Sequence, residues 1–241
     1  MTTDDRRGTS PATEQPATEQ PATEQPATEQ AATQQPAPRL TAGDDAGADS
    51  SFLILHGWQN RRPAGHWQHW LADRLGERGR QVAYPQLPDP DVPDPEVWLA
   101  EFARHLDALR GAERVVLAHS ASAVLWLHAV ARALPGLDRV DRVLLVAPPS
   151  PAVLAGLPEI AAFTPSGLDL RALPGATRLV AGDDDPYCPE GADAVYGDPL
   201  GVPTDILPGA AHLDLDAGYG PWPAVLDWCL DGSVPLTGRT G

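Results

Sequence analysis

Arg114-Val-Val-Leu-Ala-His-Ser-Ala-Ser122 is a short β-branched run that stops at a serine and passes at once into a helical pattern. A buried strand that turns directly into a helix holds the junction residue, Ser120, out at the end of the sheet, the arrangement of a nucleophile elbow. The usual form is Gly-x-Ser-x-Gly, because strand and helix backbones approach closely there. Here the two flanking places hold Ala118 and Ser122, both small.

Outward from the elbow, strands and helices alternate. Ser51–Leu55 is a continuous apolar run, as expected of a strand buried on both faces, and it ends in His56-Gly57-Trp58. Helical spacing follows over His66–Leu75, closed by Gly79. Gln81–Tyr84 reads as a short strand halted by Pro85, and Pro95 opens a helix carrying Val97, Trp98, Phe102, Leu106 and Leu109. The elbow helix is expected over Ala121–Leu134. Further strands are expected at Asp141–Ala147, Thr177–Ala181 and Thr204–Leu207, and a last helix at Pro223–Leu230. This order predicts an α/β fold: one domain with a mostly parallel sheet, helices on both faces and an active site beyond the carboxyl ends of the strands. Gly57, Ser120, Asp185 and His212 all fall at such ends.

A serine hydroxyl needs a base, and the base needs a carboxylate to fix its tautomer. Downstream of Ser120 stand two histidines, His128 in the elbow helix and His212 in a loop after a strand. The pattern assigns His212 as the base. The acid comes from the run Gly182-Asp-Asp-Asp-Pro186, with Asp185 favoured by its place at the turn and Asp183 or Asp184 as alternatives. Backbone N–H groups of Ala121 and Trp58 are expected to form an oxyanion hole. Trp58, Trp67, Tyr187 and Phe163 are candidates for an apolar substrate pocket, and residues 148–174 for a small lid. His56 and His119 are expected to support the site without moving protons, and Cys188 to be a packed small side chain.

The remaining chain bounds the function. Of 241 residues with a net charge of −16, the first 48 are dominated by Pro11-Ala-Thr-Glu-Gln15, repeated at 16–20, 21–25 and 26–30 and decaying into Ala31–Gln35. A five-residue period without large apolar residues cannot bury a face, so 1–48 is expected to be a disordered tail. The domain is expected over 49–233 and a flexible end over 234–241. Acidity throughout argues against nucleic-acid or anionic-membrane surfaces. No apolar stretch nears the roughly 20 residues of a membrane span, and no early apolar run resembles a secretory signal. Two cysteines suggest neither a disulfide framework nor a metal site, so a cytoplasmic setting without metal or cofactor is expected.

With these residues placed, the chain resembles the α/β-hydrolases, specifically the small serine hydrolases related to retinoblastoma-binding protein 9. The resemblance spans roughly 51–231. It rests on Gly57-Trp-Gln-Asn60, Pro63-Ala-Gly-His-Trp-Gln68, Trp98, the elbow, and Val146-Ala-Pro-Pro149. It also rests on Asp184-Asp-Pro-Tyr-Cys188, His212 and Gly218-Tyr-Gly-Pro-Trp-Pro223. It implies a reduced lid and a triad of Ser120, Asp185 and His212. The chain departs from the pattern at Ala118, Ser122 and Ala211, where glycines are usual, and the methyl at 211 is expected to press on the loop holding His212. The implied activity is hydrolysis of small or medium carboxylic esters through an acyl-enzyme. Two other readings are an amidase on small substrates, and a hydrolase-fold binding protein with a protein partner and weak or lost catalysis.

Overall fold

Six strands form one sheet in the order β2-β1-β3-β4-β5-β6, every pairing parallel. They are β1 (Ser50–Leu55), β2 (Gln81–Ala83), β3 (Glu113–His119), β4 (Arg142–Val146), β5 (Ala176–Gly182) and β6 (Thr204–Leu207). The computed structural model describes residues 49–165 and 173–239. The expectations for the repeat tail, for 166–172 within the proposed lid and for 240–241 lie outside the described residues.

The strands are apolar throughout, yet their side chains sort by the two-residue period of a pleated sheet. Leu53, Leu55, Val116 and Ala118 enter one core layer, with α2 (Pro95–Ala108) and α3 (Ala121–Ala131) packed on it. Phe52, Ile54, Val115 and Leu117 enter the other, covered by α1 (Trp67–Glu77) and, near the C-terminus, by α6 (Pro223–Leu230). Along the chain between α3 and α6 come α4 (Pro151–Gly156) and α5 (Asp198–Leu200), the latter continuing a π turn over Asp193–Gly197.

The chain leaves β1 to form β2 on one side and then returns to form β3 on the other. The register sets Leu55 beside Ala118, so the loops after β1 and β3 open side by side at this switch point. The opposite rim is pinned by charge. Arg142 bonds Glu113 at 2.6 Å and donates to the carbonyls of Trp228 and Cys229 at the end of α6, while Arg178 bonds Asp205 at 2.5 Å.

Two expectations change. Helix α3 stops at Ala131, three residues before the expected end, because Ala133 adopts φ 48°. Its N–H bonds the Val130 carbonyl while that of Leu134 reaches back to Ala129. That is a Schellman ending built on alanine instead of glycine. Residues 234–239 pack on the domain: Leu236 is buried, and the Trp222 indole donates to the Thr237 carbonyl at 2.7 Å. A single apolar anchor holds what the sequence suggests is a loose end. In the proposed lid, α4 and a 3-10 turn at Ala161–Phe163 are ordered, and Leu154 and Phe163 are buried.

Candidate active site

Ser120 stands at the β3–α3 junction with φ 56° and ψ −126°, a conformation costly for a residue with a Cβ. The surroundings hold it there. Its N–H donates to the Val146 carbonyl at 2.9 Å, and its carbonyl accepts from Ala123 at 2.8 Å. The close approach required at an elbow is met from the neighbouring loop. A Cβ on Gly57 would lie 2.6 Å from the Ser120 Cβ, inside any tolerable contact. Ser122, at the place of the second glycine, is bonded as well as accommodated: its hydroxyl donates to the His56 carbonyl at 2.5 Å, tying α3 to the loop after β1.

His212 Nε2 lies 2.9 Å from Ser120 Oγ, and His212 Nδ1 lies 3.0 and 2.9 Å from the two carboxylate oxygens of Asp185. A carboxylate accepts, so Nδ1 carries the proton and Nε2 presents a lone pair to the hydroxyl. Asp185 is buried and also accepts from the Tyr187 N–H at 2.8 Å. The Tyr187 ring sits 4.4 Å from that of His212, centroid to centroid. The other two aspartates do not reach the imidazole; they hold its loop. Asp183 accepts from Gly209 N–H at 2.8 Å and Asp184 from Ala211 N–H at 2.7 Å.

That loop needs restraint. Ala211 and Leu213, on either side of His212, have φ of 43° and 54°. Besides the aspartates, the Trp67 indole donates to the Leu213 carbonyl at 2.8 Å and His119 Nε2 bonds the His212 carbonyl at 3.0 Å. Gly182 makes room for it, since a Cβ there would meet the Ala211 carbonyl oxygen at 2.3 Å. The extra methyl at 211 is thus accepted within a loop fixed from several sides.

The loop after β1 is fixed as firmly. His56 Nε2 accepts from Leu87 N–H at 2.8 Å, so Nδ1 carries the proton and donates to the Gly57 carbonyl at 2.8 Å. Burial draws this imidazole down to about 4, and it stays neutral. Gln59 N–H bonds Pro90, the Trp58 indole bonds the Asp91 carbonyl, and Arg61 pairs with the Asp91 carboxylate. The proline-rich stretch before α2 is therefore a buttress for the Gly57–Trp58 turn.

A cleft of about 380 Å³ opens above Ser120 and His212. Trp58 and Tyr187 line it, as do Pro149, Ile160 and Leu215, while Asn60, Arg61, Asp214 and Asp216 supply polar walls. Trp67 and Phe163 are corrections to the expected pocket. Both are fully buried: Trp67 packs edge-on against Trp222 at 5.5 Å, and Phe163 against Trp98 at 5.3 Å. Helical periodicity marks such rings as buried without saying whether they face core or cleft. His128 is buried too, its Nε2 donating to the Phe163 carbonyl at 2.8 Å. Burial, and then the Asp185 charge, push the Cys188 thiol up to about 12, so it is no thiolate at neutral pH. Ile160 and Asp214 were missed in the sequence; the only signal for Asp214 is its place two residues after His212.

Among the described residues, no His, Cys, Asp and Glu group is arranged to hold a metal ion, and no helix is long and apolar enough to cross a membrane. The ydeN gene product from B. subtilis aligns at a TM-score of 0.61 and 22% identity, over 74% of this chain and 95% of that one. A YdeN-like hydrolase from Pectobacterium atrosepticum aligns at 0.62 and 20%, over 78% and 95%. Est1E from Butyrivibrio proteoclasticus aligns at 0.58 and 14%, over 77% and 87%. These likenesses show an α/β-hydrolase fold. No curated protein sequence matches the chain. The profile described as serine hydrolase matches residues 52–229, from β1 to the end of α6, and the chain belongs to that family.

Proposed function

We propose that this hydrolase cleaves small or medium carboxylic esters through an acyl-enzyme on Ser120, with His212 as base and Asp185 as its orienting acid. The observation that carries the reading is the continuous array from Asp185 through His212 to Ser120 Oγ at the floor of the cleft. In the first step Oγ attacks the acyl carbon while His212 Nε2 takes the hydroxyl proton. The N–H groups of Trp58 and Ala121 stabilise the oxyanion. Collapse breaks the ester C–O bond, and the proton on Nε2 passes to the departing alkoxide, giving the alcohol. Water then attacks the acyl-serine, giving its proton to Nε2. The second collapse releases the carboxylic acid and returns the proton to Oγ. The Asp185 carboxylate holds Nδ1–H towards itself and offsets the imidazolium charge.

The cleft volume suits a ligand at the small end of the usual pocket range. Its apolar walls at Trp58, Ile160 and Leu215 offer room for an acyl chain of modest length. A series of p-nitrophenyl esters tests this. Turnover is expected for acetate to hexanoate, declining for longer chains, with an acyl adduct on Ser120 in acid-quenched protein by mass spectrometry. A folded protein that turns over anilides faster than all esters would replace the reading with the amidase. One that turns over neither would replace it with the binding protein.

A further inference from the structure

The edge strand β2 and the neighbouring face of α1 enclose a second cavity of about 400 Å³, which shares no wall residue with the catalytic cleft. Two arginines line it, Arg62 and Arg80, both half-buried. Elsewhere in this acidic chain arginines are matched by carboxylates, as Arg61 is by Asp91, Arg142 by Glu113 and Arg178 by Asp205. Neither guanidinium in the cavity has an ion-pair or hydrogen-bond partner among the described residues. Asp73, the carboxylate in the wall, lies beside His69 Nε2 at 4.0 Å. The Tyr84 hydroxyl and Arg62 Nε are buried, and they too lack a partner among the described residues. Burial pushes this phenol above its ordinary value, so it keeps its proton and is a donor. Buried donors left unmade are costly, and these converge on one cavity.

We propose that this cavity binds phosphate, free or carried on a small molecule, between the Arg62 and Arg80 guanidinium groups with the Tyr84 hydroxyl as a further donor. Each guanidinium presents a planar fork of N–H donors and no acceptor, which matches an oxyanion. A phosphate group has oxygens on every side and about two negative charges near pH 7, so it can meet two forks from different directions. A carboxylate offers its oxygens along one edge. The two arginines outweigh Asp73, leaving the cavity cationic within a chain of net charge −16. Arg62 is held ready. At φ 55° its N–H donates to Asn60 Oδ1 at 2.7 Å, and its carbonyl accepts from His69 Nδ1 at 3.1 Å. Its guanidinium rests over the Tyr84 ring, Cζ 4.6 Å from the centroid, which sets arginine and phenol side by side. The rest of the wall, including Ala72 and Val82, is small or apolar and leaves room for the body of a phosphate ester.

NMR of the full chain labelled with ¹⁵N-arginine tests this. At constant ionic strength, inorganic phosphate should move the Arg62 and Arg80 Nε–H signals along one saturable curve, with a Kd of about 1 mM. Arg62→Gln and Arg80→Gln should each weaken binding about tenfold, the scale of one charge-assisted contact. Tyr84→Phe should weaken it severalfold. Arg80→Gln should keep the wild-type Tm, so it still decides the matter if a change at Tyr84 or Arg62 disturbs folding. Phenyl phosphate binding more tightly than inorganic phosphate would assign the site to a phosphate ester, and the reverse order to the free anion. The proposal is overturned if phosphate moves the two signals no more than chloride does at equal ionic strength, or if acetate binds as tightly. Binding that survives Arg80→Gln unchanged overturns it as well.

Discussion

Asp183, Asp184 and Asp185 are consecutive, yet they grip three different points of one loop: the N–H of Gly209, the N–H of Ala211 and the ring of His212. The sequence singled out Asp185 by its place before Pro186. It could not assign work to the other two, because their partners are backbone groups brought near only when β5 and β6 pair. For Asp185→Asn we expect kcat to fall by about 10⁴, the scale seen when an orienting carboxylate is lost and the tautomer reverses. Asp184→Asn keeps an oxygen acceptor for Ala211 N–H, so its kcat should stay within a few-fold of wild type. Steady-state kinetics on both variants checks the pair, and a reversed order would move the acid to Asp184. Gly57 shows a similar limit of sequence reading. It is legible as a tight turn, but the reason for glycine is the Ser120 Cβ beside it, a contact between two strands' ends.

Helix α3 shows what local pattern can and cannot give. Its start is legible because the strand run ends at Ser120 and a helical pattern follows at once; its end is not, because the αL position is filled by Ala133 and no glycine marks it. Ala133 is exposed, and an alanine in the left-handed region is strained. Ala133→Gly should therefore stabilise the domain by about 0.5–1 kcal/mol after the entropy added to the unfolded chain, raising Tm by roughly 1–3 °C. Differential scanning calorimetry checks this, and a lowered Tm would contradict it. At α1 and α2 the sequence carries explicit end signals. Asp94 caps α2 ahead of Pro95, and Gly79 with φ 73° closes α1. The misplaced pocket residues belong to this scale too: Trp67 and Phe163 sit on buried faces, and periodicity does not distinguish a core wall from a cleft wall.

Across the whole molecule, the alternation of apolar runs and helices makes the parallel sheet and the rim at its strand ends legible, since apolar strands joined by helices must be covered on both faces. The buried histidines were less so, because their burial emerges only when the loops after β1, β3 and β6 close together. Burial pulls His56 and His66 down to about 4 and His119 well below its ordinary value. The unfolded chain takes up these protons near pH 6.5 while the folded one refuses them. Their contribution is therefore fully present above about pH 6.5 and is lost as pH falls towards 4, by up to about 3 kcal/mol each for His56 and His66. Urea unfolding should show stability falling steeply with acid across this window, and a flat profile would contradict the neutral, buried assignment. The central claim, that Ser120 is a nucleophile activated by His212, is tested most directly by a fluorophosphonate probe followed by peptide mapping. The account predicts a single adduct on Ser120, absent from Ser120→Ala and strongly slowed in His212→Ala. Folded wild-type protein that takes no label, or takes it on another residue, would contradict it.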